Sequence, residues 1–269
     1  MIFHLPKAVC KLAMQLTEIV YYPVKSMRGL NAEAADIRHA GMPHDREWLV
    51  ATPDGMFLTA RKLPHMLLWQ AEPHSDGLTL TAPAGSRRRV HHDEFTQVAE
   101  VAVWKDRFEA RHGSSSTDEW LSQQLGVACR LYYLGNPSRR VLSFAQTPLS
   151  FADGAPYLLT SNASLTLLNS QLEEAVEMRC FRPNLVIDGR EAYEEDRWRI
   201  IRIGTVEFEL FKPCVRCVMT TVDLHSGRKH PQQQPLATLA LTHKACFGIN
   251  MIARNSGQVH LGDEVTVIR

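Results

Sequence analysis

Two cysteines three positions apart, Cys214 and Cys217, stand in the stretch FKPCVRCVMTTVD at residues 211–223. A C-x-x-C pair can hold zinc, cycle between dithiol and disulfide, or offer a thiolate to another metal. A structural zinc site takes four protein ligands, so this pair would have to recruit two more from His225, His230, His243 and Cys246. The nearest pattern is C-x2-C-x7-H-x4-H, whose central gap is too short for a zinc finger. A thioredoxin-type pair opens a helix, where the dipole lowers a thiol pKa. Here strand-like TVEFELFKP precedes the pair and strand-like VMTTVD follows it. Two half-buried core cysteines are the plain alternative. Spacing alone does not decide among these chemistries.

Other reactive patterns are scarce. The chain has no P-loop, no G-x-G-x-x-G and no serine nucleophile elbow. Asp223 closes the TTVD stretch and could orient the cysteine loop. His39, His44 and His65 fall in loop-like segments, and SRRRVHHDE at 86–94 reads as a solvated hairpin tip. Thirty basic residues nearly cancel 29 acidic ones, which argues against nucleic acid or an anionic membrane as the partner of the whole molecule. Any anion site must therefore be local. Six scattered cysteines without a secretory signal favour free thiols in a reducing compartment, the cytoplasm. The segment MIFHLPKAVCKLA, broken by Pro6 and Lys7, makes neither a clear signal peptide nor a membrane span, and residues 1–13 read either as a product of start-site choice or as a loose arm, with no role assigned.

The elements that must position the cysteines are mostly strands. A chain of 269 residues with 45% apolar content can bury one large core or two small ones. LTEIVYYPV (16–24), WLVATP (48–53), MFLTA (56–60), LTLTAP (78–83) and VAEVAVWKDRFEA (98–110) are β-branched and aromatic runs punctuated by Gly, Pro, Asp and Ser. STDEWLSQQLG predicts a helix with a capping box from Ser116 to Glu119 and a stop at Gly126, and SNASLTLLNSQLEE predicts another with Ser161 as N-cap. Strands return in RPNLVIDG, WRIIRIG, TVEFELFKPC and VMTTVD, and the C-terminal stretch predicts a hairpin turning near Asn255–Gly257. The pattern predicts a mainly β protein with a few helices (α+β), barrel-like, with a boundary at the RHGSSST loop (111–117).

Six separated stretches carry a resemblance: YYPVKSMRG (21–29), GMPHDREWLV (41–50), GAPYLLTSNASLTLLN (154–169), CFRPNLVIDG (180–189), FKPCVRCVMTTVDLHSG (211–227) and FGINMIARNSGQVHLGDEV (247–265). In that order they resemble the MOSC proteins, in the branch of the mitochondrial amidoxime reducing component and the bacterial YcbX-type proteins. The resemblance implies a MOSC β-barrel over 114–269, an N-terminal β domain over 14–113 and a cofactor cleft between them. It implies the molybdenum cofactor, a molybdenum held by the dithiolene of a molybdopterin, with Cys217 as the protein's metal ligand and catalytic residue. It also implies that Lys25, Ser26, Arg46, Arg182 and Asn184 hold the pterin and its phosphate. These residue types suit an anion: arginine grips bidentately, lysine gives a point charge, serine and asparagine add neutral hydrogen bonds. Ser161, at a helix N-terminus, and the backbone of Gly154 and Ala155 are further candidate contacts.

The implied activity is two-electron reduction of N–O bonds in N-hydroxylated small molecules such as amidoximes, hydroxamates or N-hydroxylated nucleobases. The sequence ends at Arg269 after GDEVTVIR, with no C-x4-C-x2-C ferredoxin run, so electrons are expected from a separate ferredoxin, flavodoxin or haem protein. A second reading is a cofactor or sulfur carrier without redox turnover, because MOSC domains also occur in molybdenum-cofactor sulfurases. A third is a zinc-stabilised β module.

Overall fold

A computed structural model describes residues 13–269 apart from Asn136, Pro137 and Arg139; the arm expected at 1–13 lies, but for its last residue, outside the described residues. Alternation of apolar and polar side chains makes the first strand, β1 (Met14–Tyr21), and points Met14 and Leu16 inward. A bulge between Leu16 and Glu18 shifts the phase, so that Ile19 faces the same core. Six more strands join it: β2 (Tyr157–Ser161), β3 (Leu185–Ile187), β4 (Ile200–Ile203), β5 (Val206–Val215), β6 (Cys246–Ala253) and β7 (Glu264–Val267). They close a seven-strand barrel in the order β1-β3-β2-β6-β5-β4-β7, with β7 returning to β1. Closure leaves no unpaired edge in the ring.

Only β2 and β3 run parallel, with Leu159 opposite Leu185. A parallel pair needs a crossover, and residues 162–184 supply it, carrying helix α2 (Asn162–Asn169). The barrel is filled by Leu16, Ile19, Tyr157, Leu159, Ile201, Phe208, Ile249 and Met251. Each such buried apolar side chain stabilises the fold by roughly 1.5–3 kcal/mol.

Most of the residues before 134 build a second β unit. Strands 48–51, 130–133, 106–112 and 97–103 form an antiparallel sheet, and strands 70–74, 77–81 and 87–91 form a meander. Helix α1 (Ser115–Leu125) adds Leu121 and Leu125 to a core that also holds Trp48, Trp69 and Phe95. The expected boundary at 111–117 falls between a strand and a helix that serve this same unit.

The mainly β class stands, and several local expectations change. VAEVAVWKDRFEA is a hairpin, not one strand: Trp104 takes a positive φ of 58° and turns the chain between 97–103 and 106–112. MFLTA makes only isolated bridges, through Met56 and Phe57. The run 86–94 is a paired strand (87–91) followed by a turn, with Arg88 bonded to Thr117 and Arg89 to Asp76, so it is no solvated tip. VMTT is a 3-10 turn rather than a strand, because the Thr220 and Thr221 hydroxyls donate back to the Cys217 and Val218 carbonyls. The α1 N-cap is Ser114, without a side-chain cap bond, so the Ser116–Glu119 box does not form; Gly126 does end the helix, at φ 69°. No hairpin joins β6 to the next strand, since 257–260 pairs with 34–37 instead. Helix α3 (Leu236–Thr242) was not expected.

Candidate functional site

Tyr157, Leu159, Ile249 and Met251 point into the barrel, so the alternating Leu158 and Asn250 face outward. They floor an open concavity on the outer wall. Its lining comes from both parts of the chain: Lys25, Ser26, Arg46 and Arg61 from before residue 134, Asp153–Ala155, Arg182, Asn184, Cys214 and Arg216 from the barrel part after it. Five cationic side chains therefore face one carboxylate. Around a neutral molecule this is a local anion site.

Three lining residues hold left-handed backbones, Ser26 (φ 69°), Arg46 (53°) and Arg182 (54°). Such a conformation costs a non-glycine residue on the order of 1–3 kcal/mol and persists where neighbours over-determine it. Ser26 is the third residue of a tight turn closed by Met27 N–H to Val24 C=O at 3.1 Å. Arg46 is pinned through its own backbone, donating to Tyr22 O at 2.7 Å and accepting from Phe151 at 2.9 Å. Arg182 caps a 3-10 turn at 178–181.

The deep wall is built on Asn184. Its Oδ1 accepts from Leu158 N and from Arg46 Nη1, and its Nδ2 donates to Val20 O, each at 3.2 Å. Arg46 also chelates Asp45 at 2.6 and 2.8 Å, and Arg182 donates to Met27 O at 2.6 Å. The two guanidinium groups lie 4.3 and 4.1 Å from the centroid of the Tyr22 ring. Burial lowers the Arg182 pKa to about 10, against the pull of Tyr22, and raises that of Tyr22 to about 12.

Lys25, buried like Arg182, donates to Phe151 O at 2.7 Å and pairs with Asp153. Burial lowers the Lys25 pKa to about 8, with Asp153 opposing the drop. Desolvation by the surrounding wall works against the Asp153 charge, yet the carboxylate is half-exposed and the Lys25 ammonium beside it holds the carboxyl well below the usual carboxylate range. Asp153 takes two more donors, Trp104 Nε1 at 3.0 Å and Arg61 Nη2 at 3.4 Å.

Each cysteine of the pair meets a guanidinium. Bulges at 210–212 and 213–215 bend β5, the second of them at Cys214 itself. Cys214 Sγ lies 2.7 Å from Arg216 Nη1, whose Nη2 donates to Phe181 O at 2.6 Å. Cys217 Sγ lies 3.2 Å from Arg61 Nε. Buried Arg216 Nε has no partner among the described residues, a donor left for a ligand in a lining already rich in cations. Cation-rich walls, an orphaned donor and an adjoining cysteine sulfur, a soft ligand, fit a phosphate-tailed cofactor whose metal takes one cysteine.

The structure gathers Lys25, Ser26, Arg46, Gly154, Ala155, Arg182 and Asn184 around this one space, and Cys217 adjoins it through Arg61. Ser161 is not brought there. It is fully buried, its hydroxyl accepts from Ser164 N at 3.5 Å, and Gly189 leaves no room beside it. Ala163 N, in the first turn of α2, is already bonded to Asp188 O at 3.0 Å. Asp223 is occupied by Ser226 and His225 in its own loop, while His39 meets Ala253 O and His44 pairs with Glu47. No group of three or more His, Cys, Asp or Glu side chains that could hold a metal forms among the described residues. Of Arg61, Trp104, Asp153 and Asn250, none of them singled out above, Asn250 falls within the FGINMIARNSGQVHLGDEV stretch and Asp153 stands beside the expected Gly154.

Residues 146–266 match the MOSC domain, and residues 13–128 match the MOSC N-terminal beta barrel domain. The chain is 30% identical over 280 residues to mitochondrial amidoxime-reducing component 1 of Mus musculus, covering 94% of this chain and 82% of the relative. This protein belongs to the MOSC family. The human mitochondrial amidoxime-reducing component 1 is also 30% identical, with the same coverage. A molybdenum cofactor sulfurase of Oryza sativa is 29% identical over 88% of this MOSC chain but only 32% of its own length. No helix among the described residues is long and apolar enough to cross a membrane.

Proposed function

We propose that this MOSC protein binds the molybdenum cofactor and reduces N-hydroxylated small molecules. The observation that carries the reading is the cation-lined concavity adjoining Cys217, in a chain whose relatives are named amidoxime-reducing components. Cys217 would supply the thiolate to molybdenum. Lys25, Ser26 and Arg182 would hold the pterin phosphate, with the Gly154 and Ala155 backbone beside them. Arg46 and Asn184, already bonded to protein acceptors, would fix the wall on which it rests. When bound, the cofactor supplies the two electrons that, with two protons, convert an N–OH group into N–H and water.

The electrons would come from a separate ferredoxin, flavodoxin or haem protein, in keeping with the word "component" in the relatives' name. A reducing compartment such as the cytoplasm suits the thiols at Cys129, Cys180, Cys214, Cys217 and Cys246, all of them free. The test is to load the protein with molybdenum cofactor, supply a chemical reductant and offer amidoximes, hydroxamates and N-hydroxylated nucleobases. Stoichiometric formation of the dehydroxylated base is expected; no turnover across the panel would refute the reductase reading.

One observation favours a second reading. Cys214 also lines the concavity with a guanidinium on its sulfur, and a sulfurase is among the relatives. A cofactor or sulfur carrier would pass on bound cofactor or sulfane sulfur without reducing substrate.

A further inference from the structure

Arg61 stands where four contacts cross. Its Nε donates to Cys217 Sγ at 3.2 Å, and its Nη2 reaches Asp153 Oδ2 at 3.4 Å. The guanidinium lies 4.3 Å from the centroid of the Trp104 ring, and the Arg61 carbonyl accepts from Lys229 Nζ at 2.8 Å. The side chain is only 19% exposed, so water competes weakly for the sulfur contact. Asp153 is held in turn by Lys25 and by the Trp104 indole, and Trp104 meets Phe57 edge to face at 5.1 Å. A planar guanidinium fixed on the ring and on the carboxylate has little freedom to turn from the sulfur.

We infer that Arg61 is a positioning residue for the metal-ligating thiolate: its N–H···S bond fixes the direction of Cys217 Sγ and draws electron density from it. The inference rests on Cys217 being the molybdenum ligand. A thiolate that accepts a hydrogen bond donates less charge to its metal, which favours the reduced metal and raises its potential. Arg61 thereby couples the metal to the Asp153–Lys25 pair and, through Trp104, to the rim of the site. Among the described residues, neither Arg46 nor Arg182 has a hydrogen bond to sulfur of this kind.

The experiment compares the cofactor-loaded wild type with Arg61→Met and Arg61→Lys, reading molybdenum per chain and the midpoint of the paramagnetic molybdenum signal in a redox titration. Arg61→Met keeps the apolar stem but no N–H; it is expected to retain metal with its midpoint lowered. At a fixed poise the reduced-to-oxidised ratio should fall about tenfold, ~59 mV for a one-electron couple. Arg61→Lys, which lacks the planar fork, should fall between the two. A wild-type midpoint and signal shape in metal-loaded Arg61→Met would overturn the inference. If Arg61→Met fails to hold metal, Arg61→Lys decides: a lowered midpoint supports the role and an unchanged one overturns it. Failure of the underlying reading is separately visible, as wild-type molybdenum content in Cys217→Ala.

Discussion

Arg46 and Arg182 have their guanidinium groups bonded to Asp45, Asn184 and main-chain carbonyls, and both lie against the buried Tyr22 ring. Lys25, itself buried, and Arg61 instead share Asp153, whose side chain is 47% exposed, with the half-exposed Trp104. Arg46 and Arg182 are framework: their partners belong to the turns that follow β1 and to the chain leading into β3. Lys25 and Arg61 converge on one solvent-touched carboxylate, an arrangement a ligand can rebalance without unfolding the barrel. Loss of Arg46 or Asn184 should therefore be read in stability, loss of Lys25 or Arg61 in ligand affinity or potential, and loss of Arg182, which would also hold phosphate, in both.

The sharpest break of this contrast is Asn184→Ala. It strands Leu158 N–H and Val20 C=O and removes an acceptor of Arg46, so unfolding in denaturant should show a loss of about 2–4 kcal/mol. Trp104→Ala, which removes one edge-to-face ring pair and one indole hydrogen bond at a half-exposed site, should cost only about 1 kcal/mol. Equal losses in the two variants would erase the distinction between framework and rim.

Lys25 sharpens it through pH. Its folded pKa is lowered from 10.5 to about 8, mainly by burial. Cofactor retention should therefore be highest below about pH 8 and decline as the ammonium loses its proton, by at most about tenfold per pH unit. The cofactor-free protein should behave oppositely: between about pH 8 and 10.5 the unfolded chain binds more protons, so stability should rise with pH. In Lys25→Met both dependences should flatten, with weaker retention throughout, as read by equilibrium dialysis and by denaturant titration across pH.

Glu195 lies outside the concavity and is a control on the same logic. It is fully buried, accepts from Ser164 Oγ at 2.7 Å through Oε1, and has no partner for Oε2 among the described residues. Burial raises its pKa from 4.5 to about 7. A raised carboxyl stabilises fully below its unfolded pKa and loses that contribution as pH climbs through the folded value, on the order of 3 kcal/mol between pH 4.5 and 7. Glu195→Gln should remove that slope and leave cofactor retention unchanged; an unaltered slope would place the titration elsewhere.

The barrel and the deep wall were largely legible in the sequence. Period-two alternation marked β1 and β5, and Lys25, Arg46, Arg182 and Asn184 sit in compact motifs around fixed turns. Arg61 and Trp104 were not legible, because a hairpin tip and a loop reach the site only through tertiary folding. Ser161 failed for a different reason: its N-cap pattern was right, but the same pattern serves a buried crossover helix as well as an anion site. VMTT misled because β-branched residues favour strands until their hydroxyls bond back to the chain.

The central claim is tested most directly by molybdenum and pterin content in protein purified from a host that makes the cofactor, comparing wild type, Cys217→Ala and Cys214→Ala. The account predicts near-stoichiometric molybdenum in wild type and Cys214→Ala and its loss in Cys217→Ala. Zinc in place of molybdenum, lost equally from both variants, would contradict it.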